Sequence, residues 1–270
     1  MTSLSALTSL STRLAALAIA ACACLPAHAG PVADRVKASG SLKVCIWPNY
    51  YGITYRNPRS QQLVGIDIDL SAELAKDLKL KLAYVESSFA TLVADLAGDK
   101  CDVAMFSIGV TPEREKVMSF TRPYLHSDIY AITTRSHRSV RAWEDIDRPG
   151  IVVAVAAGTL MEPVMKASLK YAQLLLVRPP ATREQELESG RADVFMTDYP
   201  YSRRLLDNAD WAKLLSPPKP FNITSYAYAV KPGDEQWLRT LDEFVAKIKS
   251  DGRLDAAAKR NGLSEIVVRN

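Results

Sequence analysis

Asp102-Val-Ala-Met-Phe-Ser-Ile-Gly-Val-Thr-Pro-Glu-Arg114 joins an unbroken apolar run to a helix start, and that join decides the fold. A short apolar run bounded by polar residues suits a strand covered on both faces, predicted here over Cys101–Phe106. Thr111 suits an N-cap, Pro112 the first helical position and Glu113 the positive end of the macrodipole, so the spacing predicts a helix over Thr111–Met118. Ser107 and Gly109 then stand at a strand end, where open α/β sheets hold ligands. Arg114 falls in the first helical turn with a planar fork suited to bidentate carboxylate recognition. The alternative is a solvated Arg114 on an ordinary capped helix.

Outward from this join, strand and helix patterns alternate along the chain. Leu42–Ile46 is a predicted strand, Asp69–Leu78 an amphipathic helix with Leu70, Leu74 and Leu78 four apart, and Leu82–Val85 a strand. Thr91–Ala97 reads as a helix stopped by Gly98. Further on, strands are predicted at Ile129–Thr134, Ile151–Ala156, Leu174–Val177, Val194–Thr197 and Tyr226–Val230. Helices are predicted at Leu160–Tyr171, Arg183–Ser189, Tyr199–Leu206, Glu235–Lys249 and Leu254–Arg260. Strands separated by helices imply βαβ units and largely parallel sheets, an α/β fold. Ser136–Pro149 and the proline-dense Ser216-Pro-Pro-Lys-Pro220 are the two apparent breaks.

The N-terminus predicts export. Arg13, the apolar stretch Leu14–Leu25 and Ala27-His-Ala29 have the form of a secretory leader spanning residues 1–29. Ile19-Ala-Ala-Cys22 offers a competing lipoprotein cut that would leave a lipid-anchored Cys22; the soluble periplasmic product is preferred. No later stretch is apolar for the ~20 residues a membrane helix needs. Hydrophobic residues make up 48% and charged residues 24% of the chain, an ordinary globular balance, so disorder is not indicated. Lys and Arg alternate with Asp and Glu around a formal net charge of +4, with no basic stripe, which speaks against nucleic acid as partner. Cys45 and Cys101 remain after the leader, an even pair in an oxidising compartment. A disulfide between them is expected, two buried thiols being the alternative.

Large enzyme classes lack their signatures. There is no G-x-G-x-x-G, no P-loop, no G-x-S-x-G elbow, and neither His126 nor His137 has metal-ligand spacing, so no cofactor or metal is expected. What remains suits a zwitterion: Arg114 for a carboxylate and Asp198, after the strand Val194–Thr197, for an ammonium. Asp198 also stands where it would cap the following helix. Gly158-Thr159 could offer amides and a hydroxyl to an anion or simply begin a helix. Trp47, Tyr50, Tyr51 and Phe89 could wall an apolar side chain or be core.

Gly40-Ser-Leu-Lys-Val, Val64-Gly-Ile-Asp-Ile-Asp-Leu70, Leu96-Ala-Gly-Asp-Lys-Cys-Asp-Val103, Thr111-Pro-Glu-Arg114, Ser119-Phe-Thr-Arg-Pro-Tyr124, Ala157-Gly-Thr159, Gly190-Arg-Ala-Asp193 and Thr197-Asp198, in that order, resemble the periplasmic solute-binding proteins of polar amino-acid ABC transporters. The resemblance covers nearly the whole exported chain. It implies the type II periplasmic-binding-protein fold: lobe one from residues 30–130 and 228–270, lobe two from 131–227, and hinge crossovers around Ile129–Thr134 and Tyr226–Val230. It also implies that Arg114 pairs with a ligand α-carboxylate, helped by Ser107, Gly109, Gly158 and Thr159. Asp198 takes the α-ammonium, and Tyr50 and Phe89 pack on the side chain, with Trp47 and Tyr51 as further wall. Many relatives carry an acidic residue where this chain has Trp47, which points away from a cationic side chain and toward a neutral or aromatic one. The implied partners are a free amino acid and an ABC permease, with the protein a monomer. Two rival roles stay open: a ligand-sensing or accessory periplasmic protein, and a cyclohexadienyl dehydratase. The latter shares this fold and resembles Met196-Thr-Asp198, but its pattern carries glutamate two residues after the threonine, whereas Glu162 lies three after Thr159.

Overall fold

The computed structural model describes residues 31–269; the expected leader, the Ala29 cleavage point and Cys22 lie outside the described residues. Two sheets carry the architecture. In the first, the strands run in the order Lys81–Glu86, Ser41–Ile46, Val103–Gly109, Thr224–Val230 and Ser119–Phe120, with Leu125–Ser127 also paired to Thr224–Val230. The first three are parallel and Thr224–Val230 runs against them. The second sheet repeats the plan with Gln173–Val177, Val152–Ala156 and Val194–Asp198 in parallel, followed by Ile129–Thr134 and Ala212–Leu215 in antiparallel register. A small three-stranded sheet, Asn49–Tyr50, Thr54–Arg56 and Leu63–Val64, sits beside the first.

The sequence pattern explains these elements. Every residue of Val103–Gly109 is buried, as a central strand covered on both faces requires. The helix Ile66–Leu78 buries Ile66, Leu70 and Leu74 on one stripe, and Glu235–Ser250 buries Trp237, Leu241, Val245 and Ile248 likewise. Asp234 caps that second helix at the Trp237 amide and also accepts the amides of Val32 and Ala33, anchoring the helix Pro31–Ser39. Behind the second sheet, Val153, Val155, Val194 and Met196 pack with Met161 and Met165. Cys45 and Cys101 are bridged, with Cα atoms 5.5 Å apart.

Three expectations shift. The strand predicted over Cys101–Phe106 runs instead from Val103 to Gly109, because Ile108 and Gly109 pair with Ala227 and Tyr226. The helix predicted over Thr111–Met118 is only Pro112–Glu115, because the chain leaves it to pair Ser119–Phe120 with Ala229 and Val230. Lastly, the lobe limits expected at 130/131 and 227/228 fall inside strands. The chain changes sheet at Asp128, between Leu125–Ser127 and Ile129–Thr134, and returns over residues 216–223, before Thr224–Val230.

Candidate functional site

Both sheets turn the ends of their parallel strands toward a shared cleft. Arg114 comes from the turn after Val103–Gly109, held by the Thr111 hydroxyl accepting its amide at 3.3 Å. Its guanidinium donates to the Gly109 carbonyl at 2.9 Å and, across the cleft, to the Gly158 carbonyl at 3.0 Å. It also lies 5.4 Å from the centre of the Phe89 ring. Burial lowers the pKa of this arginine, but a guanidinium keeps its charge. Space at Gly109 is tight: a Cβ there would come within 3.2 Å of the Thr224 methyl group and 3.4 Å of an Arg114 terminal nitrogen, so these side chains would have to shift slightly.

Asp198, 2% exposed, does two jobs at once. Oδ1 accepts the Tyr201 amide at 3.2 Å and caps the helix Tyr199–Leu206, while Oδ2 accepts hydroxyl protons from Tyr50 and, at 2.8 Å, from Tyr226. Burial raises its pKa, and the hydrogen bonds from Tyr50 and Tyr226 oppose that rise. The capping and ligand readings of Asp198 are therefore compatible, one oxygen serving each.

Trp47, Tyr50, Phe89, Ser107, Gly109, Arg114, Thr159 and Asp198 line one inner cavity, whose free space is about 30 Å³. Trp47, Tyr50 and Phe89 form a mutual aromatic cluster, their ring centres 5.3 to 5.9 Å apart. Two candidates lie outside the lining. The Tyr51 ring packs at a tilt against Tyr55, centres 4.3 Å apart, and Tyr201, 4.9 Å apart, while Gly158 lines a neighbouring outer pocket shared with Arg114 and Glu162. The inner cavity adjoins a wider compartment of about 300 Å³ bounded by Trp47, Phe89, Thr159, Arg183, Glu184 and Tyr201, among others.

The anion-binding groups expected around Arg114 are largely engaged elsewhere. Ser107 is held in the left-handed region at φ 49°, its amide donated to Asp67 at 3.0 Å and its hydroxyl 3.0 Å from that of Tyr124. Thr159 turns its hydroxyl proton to the Ala156 carbonyl at 2.7 Å, and the Gly158 amide donates to Glu162 at 2.7 Å. A four-residue helix also has too few aligned peptides for a strong dipole. Of the groups this turn presents to the inner cavity, the Arg114 guanidinium is the one that carries a charge.

Leu160, Met161, Arg183, Thr197, Tyr201 and Tyr226 complete the lining and were not singled out from sequence. Arg183 carried one signal: a cation at the first position of a helix opposes the macrodipole, so a packing or binding reason should exist. Tyr226 carried none beyond its place in an alternating strand. Among the described residues no group of three His, Cys, Asp or Glu side chains could hold a metal, and no helix is long and apolar enough to cross a membrane.

A family model for bacterial extracellular solute-binding proteins, family 3, matches residues 42–263. Cyclohexadienyl dehydratase of Pseudomonas aeruginosa is 32% identical over 242 residues, covering 89% of each chain. The L-cystine-binding protein TcyJ of Escherichia coli K12 is 23% identical, covering 84% of each chain. Among solved structures, an ancestral amino acid-binding protein described as a precursor of cyclohexadienyl dehydratase superposes with TM-score 0.77 at 27% identity, covering 84% of this chain and 97% of its own. Sheet plan, two-lobed α/β architecture and matched span agree: the chain belongs to the bacterial extracellular solute-binding proteins, family 3.

Proposed function

We propose that this protein captures a free amino acid in the cleft between its lobes, in the periplasm, and presents it to an ABC permease. The observation that carries the reading is the meeting of Arg114 from one lobe and Asp198 from the other on a single cavity. A guanidinium and a carboxylate facing one small space match the two charges of an amino-acid head group. Tyr50 and Tyr226 hold the carboxylate until an ammonium displaces one of their hydroxyls. Ligand contacts made to both lobes favour the closed arrangement, and that differential affinity is what a transporter can sense. Trp47, in the aromatic wall where many relatives carry an acid, disfavours cationic side chains.

The 32% identity to a dehydratase supports a second reading as an enzyme. Against it, the position two residues after Thr159, where the dehydratase pattern carries glutamate, is Met161 here, and Glu162 accepts the Gly158 amide and faces the outer pocket. The one carboxyl lining the inner cavity, Asp198, is engaged by Tyr50, Tyr226 and the Tyr201 amide. Calorimetric titration with a panel of L-amino acids tests the binding reading. At least one should bind, and Arg114→Ala should weaken it about 100-fold or more, since one partner of a desolvated charge pair is lost. Unchanged binding in Arg114→Ala rejects the reading. Aromatic product from prephenate or arogenate would establish the enzyme instead.

A further inference from the structure

We propose that Arg183 and Thr197 form a second anion-receiving point in the cleft, so that the preferred ligand is an amino acid bearing an anionic group on its side chain. This rests on the amino-acid reading above and narrows it.

Arg183 is a buried cation, 5% exposed. Among the described residues no carboxylate lies within ion-pair distance of it; its one hydrogen bond runs from a terminal N–H to the Met196 carbonyl at 2.7 Å. The flat face of the guanidinium packs on the Tyr201 ring at 4.5 Å and the Phe195 ring at 5.2 Å. These contacts fix the group in place and leave its other N–H donors without a protein acceptor, while it lines both the inner cavity and the wider compartment. Beside it, one residue on from Met196, Thr197 lines the same inner cavity. Thr197 Oγ1 is buried with no hydrogen-bond partner, the sole such side-chain atom among the described residues. A buried hydroxyl is normally paired, and the free N–H groups of Arg183, open to the cavity, are best satisfied by a charged acceptor.

Charge balance points the same way. The charged side chains lining the inner cavity are Arg114, Arg183 and Asp198. Asp198 feels the Arg183 charge, but two cations against one carboxylate leave the lining with a net positive charge that a neutral zwitterionic head group does not cancel; a side-chain carboxylate or similar anion does. Glu184 lines only the wider compartment, is partly exposed and accepts the Tyr201 hydroxyl, so it does not neutralise Arg183 at the inner wall. The wider compartment's roughly 300 Å³ gives such a side chain room.

Calorimetric titration of the purified chain with matched pairs, L-glutamate against L-glutamine and L-2-aminoadipate against L-norleucine, tests the inference. In each pair that binds, the anionic member is expected to bind about tenfold tighter or better. Arg183→Gln should collapse that preference to within about twofold, Arg183→Lys should keep part of it, and Thr197→Val should reduce it about threefold. Neutral members binding as tightly as anionic ones, or a preference untouched in Arg183→Gln, overturns it and leaves the amino-acid reading standing. Should Arg183→Gln fail to fold, the wild-type pairs and Thr197→Val decide. If no amino acid binds at all, the reading of the cleft falls and this inference falls with it.

Discussion

At the scale of single residues, Gly158 packs its backbone directly against the backbone of the opposite lobe. It sits at φ 77°, and a Cβ there would stand 2.7 Å from the Phe89 carbonyl oxygen and 2.8 Å from the backbone of Ala90. Backbone cannot yield as a flexible side chain can, so Gly158→Ala should hold the lobes apart and lower ligand affinity about tenfold or more, read by calorimetry. Gly150→Ala is the control: φ is 83° there, but a Cβ meets nothing within 4 Å. It bears only the left-handed backbone penalty of about 1–2 kcal/mol and should leave affinity unchanged. Equal affinities in the two variants would mean Gly158 is a turn residue and nothing more. The strand end, turn and cap at Arg114 and Asp198 leave local marks in the sequence that fit a solvated or capping residue as well as a binding one, and it is the family resemblance that singles the two out. Arg183 shows in the sequence only as a cation misplaced at a helix start, its purpose hidden until the Phe195 and Tyr201 rings are seen against it, and Tyr226 reaches Asp198 only through the pairing of strands far apart in sequence.

At the scale of elements, the long central strands and main helices were readable because each carries its own apolar period. The two-to-four-residue pieces Asn49–Tyr50, Ser119–Phe120 and Ala212–Leu215 were not, since partners and not propensity make them strands. Nor was the polar pin that joins helix Ile66–Leu78 to the first sheet. Asp67, fully buried, accepts the Ser107 amide at 3.0 Å and hydroxyl protons from Tyr124 at 2.5 Å and Tyr228 at 3.2 Å. Burial pushes its pKa up to about 7, despite those hydrogen bonds. A carboxyl whose folded pKa exceeds its unfolded value of roughly 4 takes up protons on folding between those limits. Its contribution to stability is therefore complete below about pH 4 and is lost as pH rises through about 7. Carboxylates with lowered pKa, such as Asp99 beside Lys231 and Arg35, act in the opposite sense at more acid pH, so the comparison must be a difference. Chemical denaturation of wild type against Asp67→Asn should show wild type losing roughly 2–4 kcal/mol relative to the variant from pH 4 to pH 7.5. A flat difference would mean Asp67 stays ionised in the fold.

At the scale of the whole molecule, the two lobes meet through Tyr50 on Asp198, Arg114 on the Gly158 carbonyl, and Tyr199 donating to Glu265 at 2.9 Å. These contacts can all part if the two crossovers flex. One side chain links the two crossovers: the Asp128 carboxylate, at the first, accepts the amide of Ile129 at 2.8 Å and, from the returning crossover, those of Phe221 at 2.9 Å and Asn222 at 2.7 Å. A single half-buried carboxylate thus ties both connecting segments to one point, an arrangement expected to favour rotation of the lobes about a fixed axis over sliding. Hydrogen bonds to a charged acceptor contribute more than neutral ones, and Asp128→Ala should lower unfolding stability by about 1–3 kcal/mol while leaving both sheets intact. Its larger effect should be on motion. Spin labels placed one on each lobe should report a broader interlobe distance distribution in ligand-free Asp128→Ala than in wild type, with Asp128→Asn between them because one acceptor oxygen remains. Affinity should fall with it, since a wider open ensemble must be narrowed on closure. A distance distribution identical to wild type would show that the paired strands fix the axis without the carboxylate.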